Sequence, residues 1–151
     1  WYIYGTKWQK FAESEPPDRV YKIAHSTSTD GVNWQRDGRQ VVRDRLNPDE
    51  GQALPTGICV NDVYHMYFCY RQADGFREDP SRGYRLGYAR SGDLENWERD
   101  DSLAGIDVSA EGWDSQMQCY PHIFECDGRV YLLYNGNEFG RRGFGLAMLE
   151  N

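Results

Sequence analysis

Three carboxylates stand where they could do chemistry: Glu50 in "DEGQALP", Asp114 in "GWDSQMQCYP" and Glu138 in "YNGNEFGRRG". Amides and aromatics crowd around them. Gln52 follows Glu50, Trp113, Gln118 and Tyr120 flank Asp114, and Asn135 and Asn137 precede Glu138. Arg71 and Arg77 add guanidinium groups from "YRQADGFRE". Carboxyl groups in pairs carry general acid–base and nucleophilic steps. Amides and carboxylates pair with hydroxyls, and indole and phenol rings offer flat stacking faces. The set suits a polyhydroxylated ligand. Asp114, Glu50 and Glu138 are the candidate catalytic groups. Arg71, Arg77, Trp113, Gln52, Gln118, Tyr120, Asn135 and Asn137 are the candidate binding groups. Plainer roles stand beside each: Asp114 as a turn cap, Glu50 as a solvated charge, Glu138 as a turn residue, Arg71 as an ion-pair partner. His25, His65 and His122 read as packed side chains rather than bases.

The elements that must position these groups repeat along the chain. "WYIYG", "YHMYFCY" and "YLLYNG" share one aromatic-aliphatic pattern, with Tyr4, Tyr67 and Tyr134 in register. "YKIAHSTSTDGVNWQRD" matches "YRLGYARSGDLENWERD", and "FGLAMLE" begins a third copy. "LPTGICVNDVYHMYF" matches "YPHIFECDGRVYLLY", aligning Pro55 with Pro121. Each full repeat carries four strand signals: a run from the Pro to a tight turn, the aromatic run, the Tyr-led run, and a strand starting at Trp34 or Trp97. Four antiparallel strands per repeat predict an all-β protein built of β-propeller blades. The chain holds about two and a half of them, at about 1–42, 50–104 and 114–151, in one partial propeller domain. The Trp34 and Trp97 pair is expected to pack on outer strands.

Alternating strand direction sorts the connections onto two ends. The short turns "VNDV", "STDG", "CDGR" and "SGDLEN" lie at one. The wide connections 5–20, 43–54, 71–83, 101–118 and 135–143 lie at the other, where binding groups gather on a rigid scaffold. Trp8 and Trp113 fall in these wide connections, as do the carboxylates and amides named above.

The patterns "YxxYFCYR…YRLGYARSGDLENWERD" and "YPHIFECDGRVYLLYNGN" resemble the five-bladed β-propeller glycosidases, the superfamily of arabinanases, β-xylosidases, invertases and levansucrases. The whole string looks closer to an uncharacterised branch of that superfamily, often met beside polysaccharide biosynthesis genes. The resemblance covers nearly all of the chain and about half of a complete ring. It implies carboxylates around a central funnel and hydrolysis or transfer of a glycosidic bond. Two carboxyl groups would flank the scissile bond, about 5–5.5 Å apart for retention or about 6.5–9.5 Å for inversion. The acid Glu of such enzymes lies immediately or two residues before the strand's Pro. Those places hold Leu54 and Ala53 in one repeat, Tyr120 and Cys119 in the next. The alternatives are a non-catalytic sugar-binding module, or a half-propeller working only as an assembly.

A net charge of -7 argues against a nucleic-acid partner, which needs a basic face. No apolar run is long enough to span a bilayer. No GxSxG elbow, P-loop or HExxH occurs, so no cofactor is expected; no dedicated calcium loop occurs and no metal ligands are assigned, while the resemblance leaves open a calcium near the propeller axis. Cys59, Cys69, Cys119 and Cys126 form no CxxC pair. They read as buried free thiols, which points towards a reducing, cytoplasmic compartment. Incomplete rings leave open sheet edges, so a homo-oligomer is expected, in which two copies would supply about five blades.

Overall fold

The computed structural model describes residues 1–9 and 18–150, and the side chains of residues 1, 2 and 19–150. Ten strands among them form three antiparallel meanders. The first sheet runs β1 (Tyr2–Gln9), β2 (Asp18–Thr27), β3 (Gln35–Gln40). The second runs β4 (Gly51–Val60), β5 (Val63–Arg71), β6 (Arg85–Ser91), β7 (Glu98–Arg99). The third runs β8 (Cys119–Cys126), β9 (Arg129–Asn135), β10 (Phe144–Met148). Helical structure is limited to three 3-10 turns, Pro80–Arg82, Asp101–Ala104 and Glu138–Gly140. Among the described residues this is part of a propeller: three strands of one blade, a whole blade of four, and three strands of a third.

Local chemistry fixes the short turns. Asn61 and Asp62 are both left-handed (φ 51° and 61°), as are Asp127 and Gly128 (φ 51° and 72°). Two left-handed residues in succession make the hairpin turn whose twist matches the strands it joins. The third-to-fourth turns repeat a second device. Asp30 accepts the backbone N–H groups of Val32 and Asn33, the Asn33 amide and the Ser28 hydroxyl. Asp93 accepts the same set from Glu95, Asn96 and Ser91. The backbone N–H and amide of the Asn hold each carboxyl far below its usual range.

The core lies between blades. β4 packs against β2 on one side and β8 on the other. Side chains along β5 alternate between these two interfaces. Met66, Phe68 and Tyr70 join Ile23, Val41 and Val42. Cys69 joins Tyr84, Met117 and Cys119, while Tyr67 packs beside Leu86, Ile123 and Leu132. A strand buried on both faces reads as a continuous apolar run, which is why "YHMYFCY" shows no polar alternation. Ala53, Cys69, Tyr84, Met117 and Cys119 cluster although they come from four strand ends. All of those ends adjoin wide connections, so these connections share one rim.

Several expectations are corrected. β1 continues to Gln9, which places Trp8 in a strand; the remaining connection, 10–17, lies outside the described residues. Cys59 and Cys126 are exposed, because both sit where β4 and β8 run out into their hairpin turns; Cys69 and Cys119 are buried and free. Burial pushes both of those thiols up to about 12. Trp34 is exposed, whereas Trp97 packs on the core and meets Trp1 edge-on at 5.6 Å. β7 is only two residues long, because the chain turns at once into Asp101–Ala104.

Candidate functional site

Glu50 enters β4 fully buried. Its Oε1 accepts from Arg99 Nη1 at 2.6 Å and from Gln52 Nε2 at 3.0 Å. Its Oε2 accepts the backbone N–H groups of Arg45 and Leu46. Arg99 also pairs with Asp101, and Lys22 pairs with Asp44 and donates to the Glu50 carbonyl. Burial pushes the Asp101 carboxyl up, but the Arg99 and Arg45 guanidinium groups outweigh it and hold it below the usual range. Lys22 and Asp44 come from the first blade and its link, Arg99 from the second, so the network ties two blades together. Every oxygen of Glu50 is occupied, and its charge is balanced.

One blade on, Asp114 and Gln118 repeat the carboxylate–amide pair. Gln118 Nε2 donates to Asp114 Oδ2 and to the Asp107 carbonyl, each at 2.9 Å. The pair is 3% and 1% exposed, yet Asp114 Oδ1 and Gln118 Oε1 have no hydrogen-bond partner. Among the described residues no cation pairs with Asp114. Asn137 builds the loop that carries it: Oδ1 accepts the N–H groups of Gln116 and Met117, and Nδ2 donates to the Gly112 carbonyl. Gly136 lies so close to Trp113 that a Cβ there would stand 2.4 Å from the indole. Trp113 in turn stacks on Tyr134 at 5.7 Å. Burial, then the neighbouring Asp114 carboxylate, by its charge and by a contact with the phenol too loose to satisfy Oδ1, raises the Tyr134 phenol, so it stays protonated.

The other candidates occupy the rest of the rim. Arg71 ends β5 and is 3% exposed. It donates to Tyr84 Oη and to the carbonyls of Arg19, Gln72 and Ala73, and lies 3.6 Å from the Phe76 ring centre. Arg77 covers the same ring at 4.1 Å. Tyr120 stacks on Phe139 at 6.1 Å. Asn135 donates to the Phe139 carbonyl. Glu138 is exposed, and Arg142, then Arg141, hold its carboxyl below the ordinary value. A cleft of about 510 Å³ opens nearby, lined by Arg45, Tyr70, Arg85, Asp101 and Asp107. The Asp107 carbonyl links that lining to Gln118. Among the described residues no three His, Cys, Asp or Glu side chains gather to hold a metal. His65 Nδ1 lies 2.6 Å from Tyr88 Oη, and His122 stacks on Phe124.

Asp114, Gln118, Trp113, Asn137 and Tyr120 are thus brought together on one pair of segments, 112–120 and 134–143. Glu50 and Gln52 belong to the ion network one blade away, and Glu138 pairs locally with arginine. Two residues at the site were missed in the sequence, Tyr134 and Phe139. Tyr134 read as a strand marker and Phe139 as part of the wide connection 135–143; the sequence signal for Tyr134 was its place directly before that connection.

No protein-family model matches the chain. Two curated proteins of Mycobacterium tuberculosis, the uncharacterized proteins MT1551 (strain CDC 1551 / Oshkosh) and Rv1502 (strain ATCC 25618 / H37Rv), are each 34% identical over 151 residues. The match takes in 100% of this chain and 46% of theirs, so the chain spans about half the length of these relatives. Among solved structures, one described as a glycoside hydrolase matches with TM-score 0.65 and 21% identity, over 99% of this chain and 40% of that one. An exo-1,5-alpha-L-arabinanase from a bovine ruminal metagenomic library matches with TM-score 0.59 and 13% identity, over 89% and 45%. A Bombyx mori GH32 beta-fructofuranosidase matches with TM-score 0.54 and 17% identity, over 97% and 30%. The chain carries part of the propeller fold that these glycoside hydrolases share.

Proposed function

We propose that this chain forms part of a carbohydrate-active propeller that hydrolyses or transfers a glycosidic bond, with Asp114 as the carboxylate directed at the substrate. One observation carries this reading: Asp114 Oδ1 and Gln118 Oε1 are buried acceptors without a donor, on the rim where the wide connections meet. A buried charge is normally paired and hydrogen-bonded. Both atoms lie under the surface, so an ordered water between them and a sugar hydroxyl at the rim would supply the missing donor. The likeness to glycoside hydrolase structures adds support at the level of fold. In hydrolysis the anomeric C–O bond breaks, water oxygen bonds to that carbon, and a proton passes to the leaving oxygen. A carboxyl group on each side of the bond divides this work. Asp114 is one of them, and a blade beyond the three described here supplies the other. The test is a panel of aryl glycosides and oligosaccharides with wild type and Asp114→Asn. Turnover should fall by about 10²–10⁴-fold; equal turnover by the two removes Asp114 from the mechanism.

A second reading is a sugar-binding half ring that works as a symmetric homo-dimer. It is favoured by the places before Pro55 and Pro121, which hold Leu54, Ala53, Tyr120 and Cys119 rather than an acid Glu. The ion pairing of Glu138 also favours it, because a general acid needs a raised pKa, the opposite of what Arg142 imposes. Sedimentation with and without oligosaccharide checks it. A monomer at high concentration that still binds sugar excludes the dimer, and turnover of any glycoside excludes a purely binding role.

A further inference from the structure

We infer that Tyr120 and Phe139 form a stacking platform for one sugar ring, on the same two segments that carry the Asp114–Gln118 pair. The inference rests on the carbohydrate reading above and names the ring-binding half of that site.

Three features single these rings out. The first is backbone strain. Tyr120 (φ 56°) and Phe139 (φ 59°) both hold left-handed conformations, as does Glu138 (φ 55°). Such a conformation costs a non-glycine residue about 1–3 kcal/mol and clusters at ligand clamps. The β-bulge between Cys119 and His122 produces it at Tyr120 and turns the ring out of the ladder, a common use of bulges beside active sites. The second is exposure. The rings are 37% and 39% exposed although they stack on each other, 28° from parallel. The third is support from beneath. Tyr84 meets Tyr120 at 6.2 Å and Phe139 at 6.1 Å edge-on, and Arg71 Nε donates to the Tyr84 hydroxyl at 3.1 Å. Buried Arg71 thus acts on the platform through Tyr84.

The position of the platform supplies the ligand chemistry. Tyr120 lies two residues after Gln118, and Phe139 lies in the loop whose Asn137 clamps the Asp114 turn. The two rings offer a part-exposed apolar face, bordered by the exposed Glu138–Arg142 pair beside Phe139 and by Arg77 near Tyr120. A ring with hydroxyl donors at its edge and C–H groups on its face matches both the face and its border. The neighbouring blade has the same bulge, with Leu54 left-handed (φ 49°) and exposed. It presents no aromatic side chain at that position, so of these two bulges only the one in the third sheet carries the platform.

The experiment is calorimetric titration of the protein with arabino-, xylo- and fructo-oligosaccharides, beside thermal unfolding of each variant. Tyr120→Ala and Phe139→Ala should each weaken binding about tenfold. Tyr120→Phe should keep it, since the ring is retained. Tyr120→Gly should lose the affinity with no fall in Tm, because it relieves the left-handed strain. Variants that bind as wild type while melting earlier would make the rings mere packing and overturn the platform, leaving the carbohydrate reading intact. Wild type that binds none of the sugars overturns both.

Discussion

Glu50 and Asp114 occupy neighbouring blades on one rim, and each receives an amide from a Gln three residues before the strand's Pro. Beyond that they differ. Glu50 is enclosed by Arg99 and two backbone N–H groups, in a network that joins two blades. Asp114 is as well buried, has an oxygen with no partner, and has no cation beside it among the described residues. One repeat has used the pair to close an interface and the other has left it open. Residue type and burial therefore do not separate the two carboxylates; the pairing of their oxygens does.

Four experiments bear on this contrast. The largest effect is expected from Arg99→Met, which leaves Glu50 buried and unpaired. The loss should be about 3–5 kcal/mol in urea unfolding; a loss under about 1 kcal/mol would show that the network holds nothing together. Acid should act next. The carboxyl of Asp101 is depressed by its arginine partners, so its contribution is full above its unfolded value of about 3.9. That contribution is lost as pH falls through the lower folded value. Unfolding free energy should stay level from about pH 7 to 5 and drop below about pH 4, with a shallower drop in Asp101→Asn. Leu54→Gly should then stabilise by up to about 1 kcal/mol, since it relieves the left-handed backbone; calorimetric Tm reads it out. The smallest change belongs to Asp114→Asn, within about 0.5 kcal/mol of wild type, because Oδ1 has no bond to lose. A cost matching that of Arg99→Met would erase the distinction between the two carboxylates.

Much of the fold was legible because propeller blades repeat. The two SxDxxNW turns and the two left-handed hairpin turns act over four to seven residues, so their chemistry shows in any short window. The gathering of the wide connections on one rim followed from strand alternation alone. The individual roles of the carboxylates were less visible. Glu50 reads as a loop charge, yet Arg99, 49 positions on, makes it a core residue. Phe139 reads as loop filler, yet the bulge at Tyr120 gives it a stacking partner. Cys59 and Cys126 lie in strand-like runs, yet exposure is decided by how near each is to its turn.

By itself, then, the order of residues determined the strands, their turns and the side of the molecule that carries the polar groups. These depend on backbone preferences and on a period of two, which neighbours in the chain express. Tertiary structure alone decided which carboxylate is balanced and which is not. That depends on the electrostatic surroundings of each oxygen, set by guanidinium and amide groups that only folding brings within 3 Å.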